Sequence, residues 1–165
     1  MLIMTNLTAE LINELAALLL GAKLKVCTAE SCTGGLIAKS MTDLAGSSAW
    51  FERGYVTYSN ESKVEMLGVS DSIIEQYGAV SEPVAVAMAA GALKQSHAGC
   101  SIAVTGVAGP AGGSDEKPVG TVWIAIASRN QTWAQKFLFD GDRENIRLMT
   151  MESAIAQLLC IVKVE

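Results

Sequence analysis

Apolar positions along this chain alternate between a helical spacing and short continuous runs, and this alternation predicts helices interleaved with strands. The first helical face lies between a predicted N-cap at Thr8 and a predicted stop at Gly21. Residues 24–27 predict a buried strand, residues 36–44 a helix, and residues 51–58 a strand rich in aromatic and β-branched side chains.

The second half of the chain continues the alternation. Asn60 is the predicted cap of a short helix that contains Lys63, and Ser81 caps a helix with Pro83 in its first turn. The remaining predicted elements are strands at 101–105, 121–127 and 132–139, a loop at 106–120 and a final helix from about Asp142. The order predicts one α/β domain over residues 1–165, a layered α/β/α sandwich with a mixed, mostly parallel sheet.

Composition narrows the function classes. Half of the 165 residues are hydrophobic, which is enough for a large core, and the net charge is -5. An acidic chain without a basic stripe argues against nucleic-acid binding. No consecutive apolar run approaches the roughly 20 residues of a membrane span, and the N-terminus lacks a signal-peptide pattern. We therefore expect a cytoplasmic protein with no membrane partner.

The four cysteines and the single histidine limit the chemistry. The cysteines, at positions 27, 32, 100 and 160, form no Cys-x-x-Cys pair. His97 alone cannot complete a zinc site, and its place in a polar helix terminus argues against a Ser-His-Asp triad. We expect no metal and no cofactor.

The most informative segment, residues 28–35, reads Thr-Ala-Glu-Ser-Cys-Thr-Gly-Gly. It places Ser31 where a strand turns into a helix, so that free N–H groups there can stabilise a phosphate or an oxyanion. A simple capped turn is the alternative interpretation. Cys32 is a rival nucleophile at the same helix start, and Glu30 is either a general base or a carboxylate that orients the turn. Thr33, Gly34 and Gly35 complete the candidate binding turn.

With histidine eliminated, a nucleophilic Ser31 needs another base. Lys63 is expected in the first turn of its helix, where the dipole and partial burial lower the pKa of the ammonium. Tyr58, at the end of the preceding strand, is placed to relay a proton or to orient the serine. An exposed lysine and a half-buried tyrosine are the alternative.

Two further segments are candidates for substrate binding. A glycine-rich loop follows the 101–105 strand, at the end of the strand where α/β sheets place ligands. Its candidate residues are Thr105, Gly106 and Gly109. Arg143 and Arg147 lie one helical turn apart near a helix start, which is unfavourable unless an anion compensates. That anion is either a ligand phosphate or the neighbouring carboxylates of residues 140, 142 and 144.

Together these segments resemble the CinA C-terminal domain family over roughly residues 8–163. The matching motifs are residues 28–35, 45–51, 58–63, 78–83, 105–110 and 117–121. The resemblance implies hydrolysis of the carboxamide of nicotinamide mononucleotide to nicotinate mononucleotide and ammonia. It also implies that Ser31 is the nucleophile, with Lys63 and Tyr58 assisting. Ala111 departs from the family's usual polar residue or glycine, which bears on the shape of that loop.

The expected oxyanion donors are backbone N–H groups of residues 32–35 or of the Gly106 loop. Because family members often self-associate, a homodimer is expected. Three alternatives stay open: an amidase that uses Cys32, a non-catalytic nucleotide-binding module, and a partner protein in competence or DNA damage.

Overall fold

The computed structural model describes residues 6–164. The α-helices are α1 (Asn6–Ala22), α2 (Leu36–Thr42), α3 (Asn60–Leu67), α4 (Asp71–Tyr77), α5 (Glu82–Lys94) and α6 (Arg143–Val162). The strands are β1 (Val26–Glu30), β2 (Phe51–Val56), β3 (Cys100–Gly106), β4 (Thr121–Ser128) and β5 (Thr132–Leu138). A 3₁₀ turn at Ser47–Ala49 precedes β2.

The five strands form one sheet in the order β2-β1-β3-β4-β5. β1 pairs in parallel with both β2 and β3, whereas β3–β4 and β4–β5 are antiparallel. Only β4 therefore runs against the other four strands. The predicted mixed, mostly parallel sheet with a late hairpin is confirmed.

The two faces of the sheet carry side chains of different size, and this difference sets the two helical layers. Ile102 and Ile124 face α1, α2 and α6, where the larger core cluster lies. Their strand neighbours Ala103 and Ala125 face α5, because successive residues of a strand point to opposite sides. The small residues let α5 pack close to the sheet, and the helices on both faces complete the α/β/α layering.

Several predicted element ends are wrong, and long-range contacts explain them. α1 already includes Asn6, so that Thr8 is not its cap; the Thr8 hydroxyl is buried and donates to Glu152 on α6. Gly21 does not end α1 either. Lys23 takes the left-handed conformation (φ 54°), and its N–H donates to the Leu20 carbonyl in a Schellman-type end.

The strand predicted at 24–27 lies at Val26–Glu30 instead, so Glu30 belongs to β1. Ser59, not Asn60, caps α3, since its hydroxyl accepts the N–H of Ser62. α4 was not predicted at all. The Ser81 cap of α5 and the position of Pro83 are confirmed.

By length and composition α6 meets the criteria for a membrane-spanning helix. Its apolar stripe, however, packs against α1 and the sheet. The buried residues of α6 are Ile146, Thr150, Met151, Ala154, Ile155, Leu158 and Leu159. A core helix passes the same test, so burial in the fold accounts for the apolar character of α6.

Candidate active site

A cleft of about 300 Å³ lies at the edge of the sheet where β1, β2 and β3 end. Parallel strands bring their carboxyl ends to one edge, which is where open α/β sheets bind ligands. The cleft is lined by Ser31, Cys32, Tyr58, Asn60, Lys63, Ala79, Val80, Thr105, Gly106, Val107, Ala108, Gly109, Ala111, Gly112 and Arg143. The structure thus brings together most of the residues that the sequence singled out.

Ser31 and Lys63 form a direct pair at the floor of this cleft. The Nζ atom of Lys63 lies 3.1 Å from Ser31 Oγ and 2.8 Å from the carbonyl oxygen of Thr57. The carbonyl oxygens of Tyr58 and Ser59 lie 3.3 Å from the same nitrogen. Helical side chains point back towards the N-terminus, which is why Lys63 on α3 reaches the carbonyls that precede its own helix.

The Lys63 side chain is almost completely enclosed, since only 1% of the residue is exposed. Burial of the amine lowers the pKa of Lys63 from its ordinary value of 10.5, because desolvation disfavours the charged form. In the structure Nζ donates to Ser31 Oγ and to these carbonyl oxygens. When the amine is neutral, its lone pair can instead accept the proton of the Ser31 hydroxyl. The geometry therefore suits proton transfer from serine to lysine.

Glu30 is fully buried beneath the Ser31 turn and does not line the cleft. Its carboxylate accepts the N–H groups of Gly35 (3.0 Å), Ile37 (3.0 Å) and Ala38 (2.8 Å), together with the Thr33 hydroxyl (2.7 Å). It caps α2 from inside the fold, where the residue at the cap position, Gly35, has no side chain to do so.

This cap limits which donors can stabilise an oxyanion. The N–H of Gly35 is bonded to Glu30, and the N–H of Gly34 donates to the Ser31 carbonyl at 3.1 Å. Within residues 6–164, the N–H groups of Cys32 and Thr33 have no oxygen acceptor. These two are therefore the donors of the turn that remain available.

Cys32 lines the cleft next to Ser31, but its environment does not favour a thiolate. Burial, with a smaller contribution from the Glu30 carboxylate, raises the pKa of the Cys32 thiol to about 12. A thiol with such a pKa is protonated at neutral pH and is a poor nucleophile.

The glycine-rich loop forms one wall of the cleft. Gly106 and Gly109 line the cleft, and the Thr105 hydroxyl donates to the Ala79 carbonyl at 2.8 Å. That bond ties the end of β3 to the segment before α5, which supplies Ala79 and Val80 to the same wall.

The two arginines of α6 have different partners. Arg143 lines the cleft and donates to the Gly109 carbonyl (2.8 Å) and to the Tyr58 hydroxyl (3.1 Å). Arg147 does not line the cleft and donates to the Thr33 carbonyl at 2.6 Å. One of the two expected partners of these arginines, the carboxylates of residues 140, 142 and 144, forms no salt bridge with either of them among the described residues.

Tyr58 lies at the cleft with 61% of its surface exposed. Its hydroxyl forms no hydrogen bond with Ser31 or Lys63 in the described part of the chain, where its partner is Arg143.

The sequence analysis missed Thr57 and Ser59, whose backbone carbonyl oxygens accept hydrogen bonds from Lys63. Every residue has a backbone carbonyl, so the sequence gives no sign of which ones contact a site. It also missed Asn60 as a lining residue.

The fold and the site define an α/β protein with a buried serine–lysine pair in a cleft at the carboxyl edge of a mixed sheet. Residues 8–162 match the family model described as the CinA C-terminal domain. The chain therefore belongs to the CinA C-terminal domain family.

Relatives of known name agree with this assignment. The chain is 55% identical over 134 residues to the nicotinamide-nucleotide amidohydrolase PncC of Escherichia coli (strain K12), with 81% of each chain covered. It is 56% identical over 140 residues to the protein of the same name from Enterobacter agglomerans, covering 84% of this chain and 85% of that one.

Solved structures show the same fold. The competence/damage inducible protein CihA from Agrobacterium tumefaciens superposes with a TM-score of 0.94 at 44% identity, covering 97% of this chain and 98% of that one. A CinA superfamily protein from Escherichia coli superposes with a TM-score of 0.90 at 38% identity, covering 93% and 90%.

Proposed function

We propose that this protein hydrolyses the carboxamide of nicotinamide mononucleotide to nicotinate mononucleotide and ammonia. The observation that carries the proposal is the 3.1 Å contact between Ser31 Oγ and the buried Lys63 amine in an open cleft. The relatives named nicotinamide-nucleotide amidohydrolase, at 55% identity over most of the chain, supply the substrate.

The reaction begins with neutral Lys63 accepting the Ser31 proton while Oγ attacks the carboxamide carbon. The carbonyl oxygen becomes an oxyanion, which the N–H groups of Cys32 and Thr33 or of the Gly106 loop stabilise. The Lys63 ammonium then donates its proton to the leaving nitrogen as the C–N bond breaks. Ammonia departs and an acyl ester remains on Ser31.

Water then hydrolyses the acyl ester, with Lys63 again acting as the base. Lys63, again neutral, accepts a proton from the water that attacks the ester carbon, and Ser31 Oγ leaves with that proton. The product is nicotinate mononucleotide. Tyr58 assists from the wall of the cleft, where its carbonyl contacts Lys63 and its hydroxyl accepts from Arg143. No step of this sequence uses a cofactor.

Charge favours an anionic nucleotide as the substrate. The described residues that line the cleft include the Arg143 guanidinium, which stays charged, and no carboxylate. Arg143 can offer its guanidinium to the substrate's phosphate, because it lies at the opening beside the Gly109 loop. A cleft of about 300 Å³ is at the small end of the range for small-molecule sites. A homodimer and a cytoplasmic location stay predictions.

The test is ammonia release from nicotinamide mononucleotide by the purified, metal-stripped protein. Wild type should release ammonia, and Ser31→Ala and Lys63→Met should each lower kcat by about 10³-fold or more while the fold is retained. Cys32→Ala is the matched control in the same turn and should stay active. Release by Ser31→Ala at the wild-type rate would contradict the mechanism, and tight binding without release would indicate a binding module.

A further inference from the structure

Thr33, two residues after the proposed nucleophile, is held from two sides by oppositely charged groups. Its hydroxyl donates to the Glu30 carboxylate at 2.7 Å, and its carbonyl accepts from Arg147 Nη2 at 2.6 Å. We call Glu30, Thr33 and Arg147 the Thr33 clamp. In each bond one partner is charged and the other is neutral, and such hydrogen bonds are about twice as strong as those between two neutral groups.

The clamp encloses the backbone that carries Ser31. Gly34 is left-handed (φ 61°), and its N–H closes the turn onto the Ser31 carbonyl at 3.1 Å. A Cβ at Gly34 would lie 3.5 Å from Arg147 Nη2, so the guanidinium packs directly against this turn. Glu30 anchors the same turn from the other side through Gly35 N–H at 3.0 Å.

Arg147 and Arg143 therefore have different surroundings, although both lie on α6 one turn apart. Arg143 is exposed at the cleft, whereas Arg147 is partly buried, lies outside the lining and is directed at the turn. Its Nε is buried and bonds to no atom of the described residues. A phosphate ligand needs donors that face the cleft, and the placement of Arg147 does not supply them.

We propose that Arg147 is a positioning residue for Ser31, acting through the Thr33 carbonyl, and not a ligand of the substrate's phosphate. The inference rests on the proposed amidase function, because it assigns Arg147 a role in that reaction. The α6 guanidinium fixes the turn so that Ser31 Oγ stays within reach of Lys63. Misplacing a reacting atom by about 1 Å can cost on the order of 10²-fold in rate.

The two arginines provide a matched pair for the test, measured as kcat and KM for nicotinamide mononucleotide. Arg147→Met should lower kcat by about 30- to 100-fold while KM stays within about twofold. Arg143→Met should instead raise KM by about tenfold or more. Arg147→Lys retains the charge without the planar fork and should lower kcat by about fivefold. It serves in place of Arg147→Met if that variant does not fold, which circular dichroism and thermal melting would reveal.

Binding is measured separately by titrating nicotinamide mononucleotide into Ser31→Ala and into Ser31→Ala combined with each arginine variant. The affinity should fall with Arg143→Met and stay within about twofold with Arg147→Met. Weakened binding together with a raised KM in Arg147→Met would identify a phosphate ligand and overturn the proposal. Unchanged kcat and KM in Arg147→Met would overturn it equally.

A failure of the proposed function gives a different result. In that case wild type releases no ammonia from the nucleotide. The clamp is then tested by the rate at which an aryl fluorophosphonate modifies Ser31, followed by mass spectrometry with Ser31→Ala as the blank. Slower modification of Arg147→Met than of wild type and Arg143→Met would support the clamp, and equal rates would refute it.

Discussion

Replacing Gly91 by alanine is expected to destabilise the protein and to slow its reaction, although the same change stabilises most helices. Gly91 lies in the last turn of α5, where α5 contacts α3. A Cβ there would lie 2.1 Å from the Leu67 carbonyl oxygen and 3.0 Å from the Leu67 carbonyl carbon. Both are backbone atoms, so no side-chain rotation relieves the contact and the two helices must separate.

Two opposing effects set the change in the free energy of unfolding that Gly91→Ala causes. Alanine is favoured over glycine in a helix by about 1 kcal/mol. Overpacking of a dense interior costs about 1–3 kcal/mol and occasionally more, and a contact as short as 2.1 Å belongs at the upper end. The net loss is about 2 kcal/mol, which for a domain of this size lowers Tm by roughly 4–8 °C.

The same displacement reaches the site, because Leu67 lies one turn after Lys63 on α3. If α3 moves by about 1 Å, the 3.1 Å contact between Lys63 and Ser31 lengthens, and kcat should fall by about tenfold or more. Stability is measured by urea unfolding and turnover by ammonia release.

Gly21→Ala is the matched control for Gly91→Ala. Gly21 is also helical, but a Cβ there would meet nothing within 4 Å. This variant should gain about 0.5–1 kcal/mol of stability and retain full kcat. If Gly91→Ala matched Gly21→Ala in stability and turnover, the close approach of α5 to α3 would not constrain the site, and the reasoning would be refuted.

Three further predictions follow from the site. Because Lys63 must be neutral to accept a proton, kcat/KM should rise with pH along a single limb whose midpoint lies below 10.5, and Lys63→Arg should abolish activity at every pH. The unfolded chain binds the proton that folded Lys63 releases, so the free energy of unfolding should rise with pH between the lowered pKa and 10.5, a rise that Lys63→Met removes in pH-dependent urea titrations. Ser59→Ala should cost about 1 kcal/mol in the same titrations by removing the cap of α3, whereas an unchanged midpoint would show that the Ser62 N–H finds another acceptor.

Local sequence patterns predicted much of the architecture. The alternation of helical and strand patterns predicted the layered sheet, and Ser81 with Pro83 predicted the start of α5, because caps and short apolar runs depend on neighbouring residues. The wrong ends depend on distant partners. Thr8 has the chemistry of a cap, yet its hydroxyl bonds to Glu152 on α6, a partner 144 positions away that no local pattern reveals.

By itself, the sequence determined the fold class and the chemistry available to the site: a serine at a strand–helix junction, a lysine and a tyrosine after the next strand, and no histidine placed to serve a triad. Only the tertiary structure decided which roles these groups can take. It enclosed Lys63 among three carbonyls, directed Glu30 into the end of α2, and turned Arg147 onto Thr33 while Arg143 stayed at the cleft. The physical reason is that residue type sets what a group can donate, accept or titrate, whereas burial and orientation are set by packing between elements far apart in the chain.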